Sequence, residues 1–328
     1  MKKLTLTLTS VALCATLLCG CMSSTDGSES TTSADASGSA VSEQTEGSAQ
    51  ADAKETKAEI SYDFEKEIPE DYIMSYKDGE VGTVELITYH ANDYIGDGEG
   101  CDKNAYVYLP AGYDPNGQYC VIYLMHGIGG NECEWGLNLD NSELKNILDN
   151  LIGRGDIAPL ILVTPIGKAL GCKHDQDFDS FYNFGYELRN DLIPYMDENY
   201  ATIPDREHRA MAGLSMGGMQ TINIGIGESM DLFSWFGAFS AAPTSNAANQ
   251  VASDIKNSEY TLDYFYNICG TEDDIAYSSA STAAKTLPDQ CDIIVPNENF
   301  TWQEQSGGHD FDIWYLGLYN FAKIAFVK

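Results

Sequence analysis

The stretch "HRAMAGLSMGGMQ", His208–Gln220, decides the reading of this chain. It joins a short apolar run to a helix-forming run through Gly213-Leu214-Ser215-Met216-Gly217. That pattern, G-x-S-x-G, has only three fixed positions and says little alone. Its setting says more: a strand feeding a sharp turn and then a helix is what a nucleophilic serine needs to stand exposed. Bulky residues two before or two after Ser215 would clash where strand and helix cross. The helix start also offers backbone N–H groups to developing negative charge. The plain alternative is a Gly-rich turn in an ordinary α/β domain.

Outward from this turn, strand-like and helix-like segments alternate. "YCVIYLMHG" and "PLILVTP" are continuous apolar runs, as in strands buried on both faces. "GTVELITYH" and "NAYVYLP" predict paired early strands; "WFGAFSA", "YFYNIC" and "FTWQEQ" predict later ones. "NSELKNILDNLIGRG" carries an Asn/Ser cap, helical spacing and a terminal Gly. "FYNFGYELRNDLIPYMDENY" and "DIWYLGLYNFAKIAF" predict further helices. The pattern predicts an α/β fold with a mostly parallel central sheet and helices on both faces.

A serine nucleophile requires a base. Of five histidines, only His309, in "QSGGHDFDIW", follows Ser215. The α/β-hydrolase order of Ser, acid, His therefore selects it. The acid must lie between them. "NICGTEDDIA" places Glu272, Asp273 and Asp274 just past a buried strand, and position alone leaves all three open. A second oxyanion donor is expected from "LMHGIGGNECEW", at Ile128 or Gly127, to pair with the N–H of Met216. His126 is expected to brace that turn.

"YLMHGIGG", "DREHRAMAGLSMGG", "SAAP", "CGTEDD" and "GGHDFDIW" together resemble carbohydrate esterase family one, the feruloyl and acetyl xylan esterase group. The resemblance runs from about Ile87 to near the C-terminus. It implies an α/β-hydrolase in which Ser215 attacks an ester carbonyl, His309 moves the proton, and an acyl-enzyme is hydrolysed without a cofactor or metal. The G-x-x-D of the family falls on Asp273, with Asp274 as the neighbour one residue away and Glu272 facing solvent. The implied substrates are feruloylated or acetylated xylan and its oligosaccharides. Trp135, Phe181, Tyr182, Trp302 and Trp314 flank the motifs and are candidates for an aromatic acyl pocket, although each residue type is more often core. A small, blocked pocket would favour acetyl groups. A sugar-capturing lipoprotein without catalysis is the reading from a different class.

The remaining features bound the protein's surroundings. The formal net charge is -32, which repels nucleic acid and anionic lipid. "MKK" and the apolar segment after it have the form of a secretory signal over residues 1–21. Leu18-Cys19-Gly20-Cys21 matches the lipobox, implying lipidation at Cys21 and an anchor on the extracellular face of a bacterial cell. Residues 22–58 are Ser/Thr-rich and acidic with no aromatic side chain, and are expected to form a flexible tether to an esterase domain over 59–328. Membrane contact is expected only through the lipid. Six cysteines follow Cys21, and their spacing assigns no pairing. Asp175, Asp177 and Asp179 have the spacing of a calcium loop. Ser180 and Tyr186 stand where that loop requires Gly and Glu, so no metal is expected.

Overall fold

The computed structural model describes residues 63–96, 98–169 and 178–327. The proposed signal, Cys21 and the tether lie outside the described residues, as do Cys172, Asp175 and Asp177.

Eight strands form one sheet: β1 (Thr83–Ala91), β2 (Cys101–Leu109), β3 (Cys120–Met125), β4 (Leu160–Pro165), β5 (Arg209–Leu214), β6 (Trp235–Phe239), β7 (Tyr264–Gly270) and β8 (Phe300–Gln305). Their order is β1-β2-β4-β3-β5-β6-β7-β8. Strand β2 is antiparallel to both β1 and β4, and every other pairing is parallel. This is the mostly parallel α/β-hydrolase sheet that the sequence predicts. Strands β4 to β7 are buried at every position, which accounts for their unbroken apolar runs.

Two core layers follow from the alternation of side chains along each strand. Val121, Tyr123, Met211, Phe236 and Phe265 face one layer; Ile122, Leu124, Ala212, Phe239 and Ile268 face the other. The first is covered by Phe184–Glu187, Thr221–Ile226, Ala248–Asn257 and Tyr277–Gln290, and the second by Glu143–Gly153 and Phe311–Ile324. Ser142 caps Glu143–Gly153 by accepting the Lys145 N–H at 3.1 Å, and Asp310 caps Phe311–Ile324 through the Ile313 N–H.

The helices depart from the sequence reading in several places, among them the run after Ser215, where Met216–Gln220 passes into a π-helical stretch, Thr221–Ile226. The segment 181–200 is not one regular helix: short α-turns give way to a π-helical turn, Leu188–Leu192, before Ile193–Asn199. Pro194 supplies the reason, because its ring removes a donor and crowds the carbonyl four residues earlier. The helix Ala248–Asn257 has no counterpart in the sequence reading. Its buried residues, Ala248, Val251, Ala252 and Ile255, nevertheless have helical spacing.

Candidate active site

Ser215 sits between β5 and the helix Met216–Gln220 with φ 51 and ψ -112. This strained geometry is held by backbone hydrogen bonds. The Ser215 N–H donates to Phe239 O at 2.9 Å, and Ser215 O accepts from Ala242 and Met219 at 2.9 and 3.0 Å. The flanking glycines are there for space. A Cβ on Gly213 would lie 2.6 Å from the carbonyl carbon of Gly217, and one on Gly217 would lie 2.6 Å from Met125 O.

Asp273 and His309 come from the ends of β7 and β8, and backbone pairing continues past both strands. Thr271 N–H donates to Gln305 O at 2.8 Å, and Glu272 N–H to Gly307 O at 2.9 Å. Gly270 permits this approach: a Cβ there would lie 2.2 Å from Gly307 O. His309 is thereby brought into line. Its Nε2 is 3.0 Å from Ser215 Oγ, and its Nδ1 is 2.7 Å from Asp273 Oδ2. The Trp314 ring meets the imidazole edge-on at 5.1 Å.

The three acids now differ. Asp273 is buried, and its Oδ1 accepts the N–H groups of Ile275 and Ala276 at 2.9 and 2.8 Å. Burial opposes its charge, but these N–H groups and the His309 hydrogen bond outweigh it and hold the carboxyl below its usual range. Cys269 Sγ is 3.5 Å from Asp273 Oδ2, and burial beside that carboxylate pushes the thiol up to about 12. Asp274 is exposed. Glu272 is exposed but engaged: its carboxylate accepts the Gly307 N–H and lies beside Ser306 Oγ, pinning the His309 loop.

The loop after β3 turns at Gly127-Ile128-Gly129-Gly130, closed by Gly130 N–H to Gly127 O at 3.2 Å. Gly129 has φ +76, the value the third residue of such a turn requires. The Gly127 N–H donates to Glu134 Oε2 at 2.6 Å, so it is not available to a substrate oxygen. That narrows the alternatives in this turn to Ile128. His126 Nε2 accepts the Gly167 N–H at 3.1 Å, which leaves Nδ1–H to donate to Gly127 O at 2.7 Å. Burial pushes His126 down to about 4, so it is neutral and acts as a brace.

The aromatic candidates separate. Phe181 packs with Met216, Met219, Ala242 and Tyr182 beside the serine. Its backbone carbonyl is held by Gln220 Nε2 at 2.9 Å. Trp314 supports His309. Trp135 is instead fully buried, its Nε1 donating to Met125 O at 3.0 Å and its ring packed on Phe239 and Phe311. Trp302 packs against the core layer that contains Phe265. Neither is brought to the serine. Sequence reasoning missed Glu134 and Gln220, which hold the two loops in place; both are polar residues just outside the motifs, with no spacing of their own to mark them.

Among the described residues, no group of three or more His, Cys, Asp or Glu could hold a metal, and no helix is long and apolar enough to cross a membrane. Cys133, Cys269 and Cys291 carry free thiols.

A serine, an imidazole and a buried carboxylate, joined in that order at the ends of parallel strands, form the arrangement that serine hydrolases use for acyl transfer. The model of the Esterase family matches residues 98–315, and the chain belongs to that family. The chain is 34% identical over 205 residues to endo-1,4-beta-xylanase Y of Acetivibrio thermocellus, covering 57% of this chain and 18% of that protein. It is 38% identical over 168 residues to an endo-1,4-beta-xylanase/feruloyl esterase of Xylanibacter ruminicola, covering 47% of this chain and 22% of that protein. This chain thus spans less than a quarter of either curated relative. Among solved structures, it resembles a ferulic acid esterase of Anaeromyces mucronatus bound to ferulic acid. The TM-score is 0.69 at 26% identity, over 81% of this chain and 98% of that one. It also resembles a feruloyl esterase module of Clostridium thermocellum complexed with sinapinate. There the TM-score is 0.64 at 27% identity, over 81% and 96%.

Proposed function

We propose that this protein is a lipid-anchored extracellular esterase that releases feruloyl groups from plant xylan, with Ser215, His309 and Asp273 as its catalytic residues. The observation that carries the chemistry is the continuous hydrogen-bonded line from Ser215 Oγ through His309 to Asp273.

In this reading, Ser215 Oγ attacks the ester carbonyl carbon as His309 Nε2 takes its proton. The carbonyl oxygen becomes an oxyanion facing the N–H groups of Met216 and Ile128. Asp273 holds Nδ1–H toward itself and stabilises the imidazolium. Collapse expels the sugar alkoxide, which takes the proton from His309. Water, deprotonated by His309, then attacks the acyl-enzyme and frees the carboxylic acid. Phe181, Met216 and Tyr182 supply an apolar surface beside the serine for the acyl group.

The feruloyl assignment is supported by relatives and neighbours whose names carry that activity. Acetyl xylan esterase is the alternative. The test compares ferulate released from methyl ferulate with acetate released from acetylated xylan. Turnover of the second alone overturns the feruloyl reading. Abolished turnover in Ser215→Ala, with unchanged thermal unfolding, is the expected control; substantial residual hydrolysis removes the serine mechanism.

A further inference from the structure

The turn that carries Ile128 is gripped from two sides. On one side His126 joins it to Gly167, and Gln220 Nε2 in turn holds Gly167 O at 2.8 Å. On the other side a single carboxylate, Glu134, reaches back seven residues to the Gly127 N–H. The base of Glu134 is itself fixed. Its N–H donates to Asn131 O at 3.1 Å, and the next residue, Trp135, is buried in the core. Thr164 Oγ1 of β4 donates to Glu132 O at 3.0 Å, tying the same loop to the sheet. The turn is also shaped to admit this side chain, because a Cβ on Gly130 would lie 2.2 Å from Glu134 Oε2.

This arrangement has a cost. Burial raises the Glu134 carboxyl above its ordinary value, while the Gly127 N–H, Lys168 and His309 oppose that rise. A carboxylate next to the place where an oxyanion develops is electrostatically adverse. An apolar residue would fill the space without that penalty, but it would leave the Gly127 N–H without an acceptor and the peptide plane free to rotate. That plane is the His126–Gly127 peptide, and its rotation moves the Gly127 Cα on which the next peptide, the one carrying the Ile128 N–H, pivots. The carbonyl of that next peptide is held separately by His126 Nδ1 and the Gly130 N–H.

We propose that Glu134 is a positioning residue of the oxyanion hole: by accepting the Gly127 N–H it fixes the His126–Gly127 peptide, the entry to the turn, and together with the grip of His126 and Gly130 on Gly127 O it sets the next peptide so that the Ile128 N–H points at the substrate oxygen. The proposal rests on the serine-esterase reading. It assigns Glu134 no contact with substrate and no proton transfer. An oxyanion donor acts in the transition state more than in the ground state, so its misplacement lowers kcat and leaves KM nearly unchanged.

The experiment uses the full chain with p-nitrophenyl acetate, comparing wild type, Glu134→Ala, Glu134→Gln and Ser215→Ala. Glutamine keeps an acceptor oxygen at the same reach, and alanine does not. Glu134→Ala is expected to lose about 10- to 100-fold in kcat with KM within about twofold. Glu134→Gln is expected to retain most of the wild-type kcat. Inhibition by phenylboronic acid, whose serine adduct places a tetrahedral oxygen in the hole, is expected to weaken in Glu134→Ala and not in Glu134→Gln. Wild-type kcat in Glu134→Ala overturns the proposal. Equal losses in both variants also overturn it, since the charge would then matter and not the bond to Gly127. Activity surviving in Ser215→Ala is a separate failure, that of the esterase mechanism itself.

Discussion

Asp273 directs one carboxylate oxygen at His309 Nδ1, 2.7 Å away, and commits the other to the N–H groups of Ile275 and Ala276. The second oxygen sets the direction of the first. An amide at this position has only one acceptor atom for two jobs. Asp273→Asn is therefore expected to favour the wrong imidazole tautomer and lower kcat by about 10³- to 10⁴-fold. Asp274→Asn, altering an exposed neighbour, is expected to stay within about twofold. Steady-state rates on one activated ester check both, and the reverse order would assign the acid to Asp274.

The elbow tolerates no side chain at Gly217. A Cβ there would meet Met125 O at 2.6 Å and Met125 C at 2.7 Å, both backbone atoms of a central strand that cannot yield locally. Gly217→Ala is expected to destabilise the fold by about 1–3 kcal/mol or more, measured by urea denaturation, and to reduce activity in the fraction that folds. Unchanged stability would mean that the strand and helix separate more easily than this packing implies.

What could be read from the sequence divides along a physical line. The apolar runs of β3 and β4 and the turn at Ser215 are local signals, and the structure reproduces them. The choice among Glu272, Asp273 and Asp274 is not local. It depends on which carboxylate falls under the Ile275 and Ala276 N–H groups, and on how far the β7–β8 pairing continues beyond the strands. Motif resemblance supplied Asp273 where residue chemistry could not. The aromatic candidates show the same limit. Trp135 and Phe181 both lie near motifs, yet one fills the core and the other packs beside the serine, and only tertiary packing separates them. Glu134 was hidden because a carboxylate in so acidic a chain reads as ordinary surface charge.

A buried ion pair lies behind the site. Lys103 and Glu187 are both almost fully buried and paired, with Tyr89 OH donating to Glu187 at 2.7 Å and Lys103 Nζ donating to Lys168 O at 2.8 Å. Burial pushes Glu187 up to about 6 despite the lysine. Lys103→Met leaves a buried carboxylate uncompensated and is expected to cost about 3–5 kcal/mol at pH 7. Lys103→Met combined with Glu187→Gln removes the charge and keeps an acceptor for Tyr89, so it is expected to recover much of that loss. Urea midpoints of the single and double variants decide the point. No recovery would locate the cost in packing and not in charge.

The lipid anchor has a direct test. Cys21 follows Leu18-Cys19-Gly20, the pattern that directs acylation. Cys21→Ser is expected to abolish incorporation of labelled palmitate and shift the protein from the membrane fraction to the medium. Esterase activity per molecule is expected to stay the same, because the proposed catalytic residues all lie beyond residue 200. Retention in the membrane fraction without label would overturn the lipobox reading.

The stability of the fold should carry the signature of His126. This residue is 1% exposed, braces the Ile128 turn in its neutral form and has a folded pKa of about 4 against an ordinary 6.5. Glu134 Oε2, 4.0 Å from Nδ1, is the nearest carboxylate, and Lys168 is the cation that opposes protonation. Because the folded value is depressed, the unfolded chain binds a proton first as pH falls. The stability present above pH 6.5 is then lost progressively down to about pH 4, by roughly 3 kcal/mol in total for a shift of this size. His126→Asn removes the titration. It is expected to be less stable than wild type at pH 7.5, where a brace is lost, and to show a shallower decline between pH 6.5 and 4. Parallel slopes for the two proteins across that interval would mean that His126 takes up its proton in the folded chain at the same pH as in the unfolded one, so that burial does not depress its pKa.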